Sequence, residues 1–160
     1  MGYLMFSFWF MVIHTAAYVA AGVIALKISK DIYEGKGRFA DFLRDMSDPG
    51  ESKHVQKFFL PAQLLRGLLM SIALYPVLGL LGDLSFGLRF LFWAGLMLIY
   101  TEISSAVPFP TNIEGFVYMK HRYLKTPKIW KFWLEIIIYS VLFGLPAAAA
   151  GKESSQKCHC

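Results

Sequence analysis

MGYLMFSFWFMVIHTAAYVAAGVIAL, residues 1–26, contains no Asp, Glu, Lys or Arg. About 20 apolar residues suffice to carry a helix across a bilayer, so this stretch decides the fold class. It does not read as a secretory leader. No basic residue precedes Lys27, and the apolar run exceeds the roughly 7–15 residues of a signal core. Gly2 makes no myristoylation site, because Phe6 stands where Ser or Thr is required. Tyr3 and Trp9 lie toward one end of the run, where interfacial aromatics gather. A first span over about residues 3–28 follows.

Three more apolar stretches lie downstream, over about residues 58–82, 84–107 and 127–150. The expected fold is all-α and integral to the membrane, with four transmembrane helices in two antiparallel hairpins. Residues 1–150 form its single domain, and the polar tail 151–160 is expected to be disordered. Pro61 and Pro76 are expected to kink the second span, as neighbouring helices can satisfy the freed carbonyls. Gly79, Gly82 and Asp83 read as a tight turn into the third span. Pro108 and Pro110 end that span, and Thr126-Pro127 reads as the cap and first turn of the fourth.

The polar connections also carry pattern. Phe39, Phe42, Leu43 and Met46 repeat at i, i+3, i+4, i+7, with Arg38, Asp41, Arg44 and Asp45 between them. This predicts a short amphipathic interfacial helix in the first long connection. Asp48-Pro49-Gly50 reads as a break after it. Thr111-Asn112-Ile113-Glu114 fits a capping box and predicts a short helix in the second connection.

Charge sets the expected topology. Of the chain's 16 Lys and Arg, seven lie in or beside the first long connection and five in or beside the second. Arg89, Lys152 and Lys157 lie on the opposite side. Basic residues mark cytoplasmic loops, so both termini are expected outside. The net charge of +5 is therefore a topology signal rather than a nucleic-acid patch, and no nucleic-acid partner is expected. The expected partners are the lipid bilayer and either further copies of the chain or other membrane subunits. A compact chain without sorting signals points to the bacterial inner (plasma) membrane, with the endoplasmic reticulum as the alternative.

Polar residues inside the spans are the candidates for chemistry, because a charge near the bilayer centre costs a few kcal/mol and faces the bundle with a partner. Span two holds Gln63 and Arg66 on one face. Span three holds Glu102 and Ser105, and span four holds Glu135. At about 1.5 Å per residue, Arg66 and Glu135 lie about 12 Å below the cytoplasmic ends of their spans and Glu102 about 7 to 8 Å. These depths predict a shared network of one cation and two carboxylates. It serves either to fix helix packing or to line a cavity. Lys131, four residues before Glu135, is a competing partner for it.

His14 stands alone in span one, and no second span histidine accompanies it for haem. No cofactor is expected. Cys158, His159 and Cys160 are weak metal candidates, since three adjacent ligands make a poor closed zinc site. With both cysteines in the tail, the spans hold no thiol for disulfide exchange. No nucleotide-binding loop, nucleophile elbow or zinc-protease motif is present. Three readings remain open. The first is a membrane-embedded binding or transport unit for an ion or small polar or lipid-like solute, expected as an oligomer because four short helices rarely enclose a pathway alone. The second is a non-catalytic subunit or assembly factor, docking through Phe39 and Phe42. The third is an enzyme acting on a lipid-soluble substrate, with Glu102 or Glu135 as acid or base.

Overall fold

The computed structural model describes residues 2–125 and 127–155, with side chains as far as Ala150. The cap expected at Thr126 and the Cys158-His159-Cys160 group lie outside the described residues. All regular structure in the described residues is helical. Helix α1 spans Tyr3–Ile28 and the short α2 spans Lys30–Tyr33. Helix α3 spans Pro49–Ala73. A single 3-10 turn at Tyr75–Val77 leads to α4, Leu78–Asp83. Helix α5, Phe86–Gly95, runs on into a π-helical stretch at Leu96–Ile103. Two short helices, α6 (Ile113–Tyr118) and α7 (His121–Leu124), precede the long α8, Ile129–Ser155.

Three of these are long and apolar enough to cross a membrane: α1, the continuous Phe86–Ile103 helix and α8. The α3–α4 pair, bent by 47°, makes a fourth if it counts as one span. Their outer faces agree with that reading. Leu4, Phe8, Val12, Val19 and Val23 of α1 are all exposed, an apolar surface too continuous to face water.

The long helices pack side by side in the order α3, α1, α8, α5. Neighbours run antiparallel. Ser7 near the start of α1 meets Ser71 near the end of α3, and His14 meets Gln63 about two turns further in. Small residues set two of the crossings. A Cβ on Gly67 would lie 3.0 Å from the Met11 Cα, and one on Gly144 would lie 3.0 Å from the Ala94 Cβ. Close backbone approach of this kind is the main source of helix cohesion in lipid, where burial against tails gains little. Phe6, Phe10, Trp93, Met97, Tyr139 and Phe143 fill the centre.

Several expected boundaries move. The second span was expected from residue 58, but α3 starts nine residues earlier. Asp48-Pro49-Gly50 opens this helix instead of breaking the chain. The Asp48 carboxylate accepts from the Glu51 amide at 2.8 Å, and Pro49 supplies the fixed φ of a first turn. Pro61 stays inside the helix, and the bend falls at Leu74–Pro76 instead.

The amphipathic helix expected around Phe39–Met46 does not form. Residues 34–48 are turns and bends. Gly35 takes φ +86°, in the left-handed region. Its amide donates to Asp45 Oδ1 at 3.0 Å, and Arg38 donates to the Leu43 carbonyl at 2.9 Å. Such local side-chain bonds to the backbone compete with a helix ladder and here displace it. The expected helix after Asn112 does form. Its cap is the Asn112 side chain, which accepts from the Gly115 amide at 2.7 Å.

Candidate functional site

A cavity of about 710 Å³ lies where the ends of α1 and the π-helical stretch meet the middle of α3 and the first half of α8. Most of its wall is apolar. Tyr18, Ala21 and Ala25 form one inward stripe of α1, spaced i, i+3, i+7, and the two alanines leave the volume open. Gly22 widens it further, since a Cβ there would meet nothing within 4 Å. Phe59 of α3 and Phe132 of α8 add aromatic walls. Leu43 and Met46 of the first connection and Phe109 of the second close the end that carries the basic connections.

Arg66, Glu102 and Glu135 all line this cavity. The three charges that sequence depth placed at one level therefore do share a site. They do not form the expected ion-pair network. Among the described residues no ion pair joins Arg66 to either carboxylate. The Arg66 guanidinium instead faces the Tyr18 ring, 5.9 Å from its centroid, within cation–π reach.

Each carboxylate accepts from a hydroxyl on a connecting segment. Tyr33 Oη donates to Glu135 Oε2 at 2.6 Å, and Thr111 Oγ1 donates to Glu102. Lys131, the expected competitor for Glu135, pairs with Asp31 at 2.6 Å. Burial, and then the neighbouring Glu135 carboxylate, push the Tyr33 hydroxyl well above its ordinary range. It therefore remains a donor at any physiological pH. Glu102 and Glu135 lie close enough to act on each other electrostatically, and Tyr18 feels all three charges.

The other candidates lie elsewhere. Ser105 does not line the cavity; its Oγ accepts from the Val107 amide at 3.3 Å, at the end of the π-helical stretch. Gln63 and His14 do not line the cavity but belong to a polar string that reaches it at Tyr139. Gln63 Oε1 is 3.3 Å from His14 Nε2, and Tyr139 Oη is 2.7 Å from His14 Nδ1. His14 is fully buried, and both ring nitrogens are engaged. An axial haem ligand needs one nitrogen free, so this ring would first have to give up a partner. Among the described residues no three of His, Cys, Asp and Glu converge.

Sequence reading missed four residues. Tyr18, Tyr33 and Tyr139 line the cavity, and the Tyr18–Ala21–Ala25 spacing was a usable signal for the first of them. Arg89 was read as an outer-loop charge. It is 4% exposed on the same stripe of α5 as Trp93 and Met97, and its Nε has no hydrogen-bond partner among the described residues.

The fold and its apolar exterior define an all-helical protein, with three to four helices long and apolar enough to cross a membrane. No family model matches the chain, and no curated protein or solved structure matches it.

Proposed function

We propose that this chain is a membrane-embedded binding unit for a lipid-like solute. It crosses the bilayer four times, with the basic connections at the cytoplasmic face and both termini outside. The bacterial inner membrane is the proposed location, and a homo-oligomer the proposed working form. One observation carries the reading. Three charged side chains face a single largely apolar cavity, and none pairs with another. A network built only to lock helices would neutralise its charges internally, because an unpaired buried charge is costly. Charges left open to a cavity are completed by an occupant. The volume lies inside the roughly 300–1,000 Å³ of ligand pockets, whose walls are apolar with a few placed polar groups.

The subunit reading is the alternative. Phe39 and Phe42, the residues chosen to test it, also pack within the chain, although Phe42 stays 44% exposed. Phe39 lies 6.1 Å from Phe132, and Phe42 lies 5.5 Å from Tyr123.

The test is gentle extraction from the native membrane followed by native mass spectrometry. A defined small molecule or lipid on the chain or its homo-oligomer is expected. Recovery only with other polypeptides at fixed stoichiometry, and with no small molecule, would restore the subunit reading. Transport is checked by flux in proteoliposomes. If the bound solute is carried, Arg66→Leu and Glu102→Gln reduce its flux at least about ten-fold, the effect of about 1.4 kcal/mol.

A further inference from the structure

The charges of the cavity come from three different elements and, among the described residues, do not pair with one another. Glu102 and Glu135 lie on neighbouring elements and act on each other as like charges. Among the described residues each accepts one hydroxyl, from Thr111 and Tyr33 respectively. An ionised carboxylate has about four acceptor sites on its two oxygens, so these carboxylates have acceptor capacity in excess and, among the described residues, no cation in contact. Arg66 lies against Tyr18 on the α3 side, with five N–H donors and no anion in contact among the described residues. The cavity therefore presents two carboxylates, from the π-helical stretch and α8, and one guanidinium, from α3, within one apolar wall.

We infer that the ligand is a zwitterionic amphiphile: a primary ammonium held by Glu102 and Glu135, an anionic phosphate or carboxylate held by Arg66, and an apolar body along the Ala21, Gly22 and Ala25 face of α1. This rests on the proposal that the cavity takes a lipid-like solute, and adds the head-group chemistry. A purely anionic head would satisfy Arg66 and face two uncompensated carboxylates. A purely cationic head would leave the half-buried Arg66 facing the cavity without an anion. A primary ammonium brings three donors to acceptors that have room for them. A guanidinium fork matches a phosphate or carboxylate. The apolar wall favours a head that carries a chain over the same head free in water.

The experiment reconstitutes the full-length protein into vesicles of equal parts phosphatidylethanolamine and phosphatidylglycerol, re-extracts it, and counts retained lipid by native mass spectrometry. Retention of the ethanolamine lipid over the glycerol lipid is expected. Arg66→Gln should lower that retention on the order of ten-fold, the usual scale for one lost buried charge contact. The Glu102→Gln, Glu135→Gln double variant leaves a net cation, so its preference should reverse toward phosphatidylglycerol. Gly22→Phe fills the cavity from a position with open space around it, and should abolish retention while keeping helical content and melting temperature. Retention of phosphatidylglycerol by the unaltered protein, or an unreversed preference in the double variant, overturns the zwitterion inference and leaves a lipid site standing. Free phosphoethanolamine binding as well as the lipid overturns the requirement for an apolar body. Retention of no lipid, or retention unaltered by Gly22→Phe, removes the underlying proposal as well.

Discussion

His14 shows how one residue's surroundings give a role that its type leaves open. An isolated histidine in a membrane span could be a ligand or a core residue, and here each ring nitrogen has a side-chain partner. With Nε2–H donating to Gln63 Oε1, Nδ1 is free to accept from Tyr139 Oη, whose single proton Met97 Sδ also draws at 3.1 Å. His14→Leu removes both contacts and leaves the half-buried Gln63 amide without this partner, at about 1–3 kcal/mol for a polar group left unsatisfied. A clear fall in melting temperature in detergent is expected, and an unchanged one would refute the locking role. Asp31 gives a pH prediction. Its hydrogen bond from Lys131 holds its carboxyl below the usual carboxylate range, assisted by Lys128. A depressed folded value means the pair stabilises above the ordinary value of 3.8 and loses that contribution as pH falls through the folded value. The side chain is 41% exposed, so solvent screening limits the effect to less than about 1 kcal/mol. Melting curves should show a small constant deficit for Asp31→Asn from about pH 5 to 8 that vanishes in stronger acid. A deficit that grows on acidification would reverse the assigned sign.

At the scale of elements, glycine separates the tight sites from the open ones. A Cβ on Gly115 would fall 1.7 Å from the Phe109 carbonyl oxygen, so α6 can turn back on the chain only with glycine there. Gly115→Ala should open the second connection. That segment also carries Thr111, the donor to Glu102, so faster limited proteolysis between residues 108 and 125 is expected, along with weaker ligand retention. Gly22→Ala meets no neighbour and should be neutral or stabilise by about 0.5–1 kcal/mol through helix propensity. Equal proteolysis of the two variants would defeat the contrast. The same contrast explains what could be read in advance. The long helices were legible because twenty uncharged residues leave the backbone no cheaper way to satisfy itself in lipid than a helix. The first connection was not, because Phe39, Phe42, Leu43 and Met46 keep a helical spacing while serving an aromatic cluster built from Phe109, Tyr123 and Phe132. Periodicity reports which residues are apolar, and a compact loop can bury the same set. The level of Arg66, Glu102 and Glu135 followed from rise per residue alone. Their failure to pair did not, since it depends on Tyr33 and Thr111, donors from the connections outside the spans.

For the whole molecule the open question is whether the bent α3–α4 element crosses the bilayer. The apolar part of α3, from Phe58 to Ala73, is about 24 Å long at 1.5 Å per residue, short of the roughly 30 Å hydrocarbon core. The further turns to Asp83 supply the missing length. The contacts between connections favour a crossing. Asp31 of the first connection pairs with Lys128 and Lys131, Asp41 accepts from Tyr123 at 2.7 Å, and Tyr33 reaches Glu135. Segments in such contact lie on one side of the membrane. If α3–α4 dipped in and returned, α5 alone would separate the two connections, an arrangement these contacts disfavour. They support the proposed four crossings. The chain's two cysteines, Cys158 and Cys160, provide the tail probe. Lys36→Cys in a Cys158→Ser, Cys160→Ser background reports the first connection, where Lys36 is exposed. An impermeant maleimide applied to intact cells should label the native tail and reach position 36 only after permeabilisation. Protection of both sites until permeabilisation would mean three crossings, with α3–α4 re-entrant. Labelling of position 36 alone in intact cells would mean four crossings with the charge asymmetry inverted.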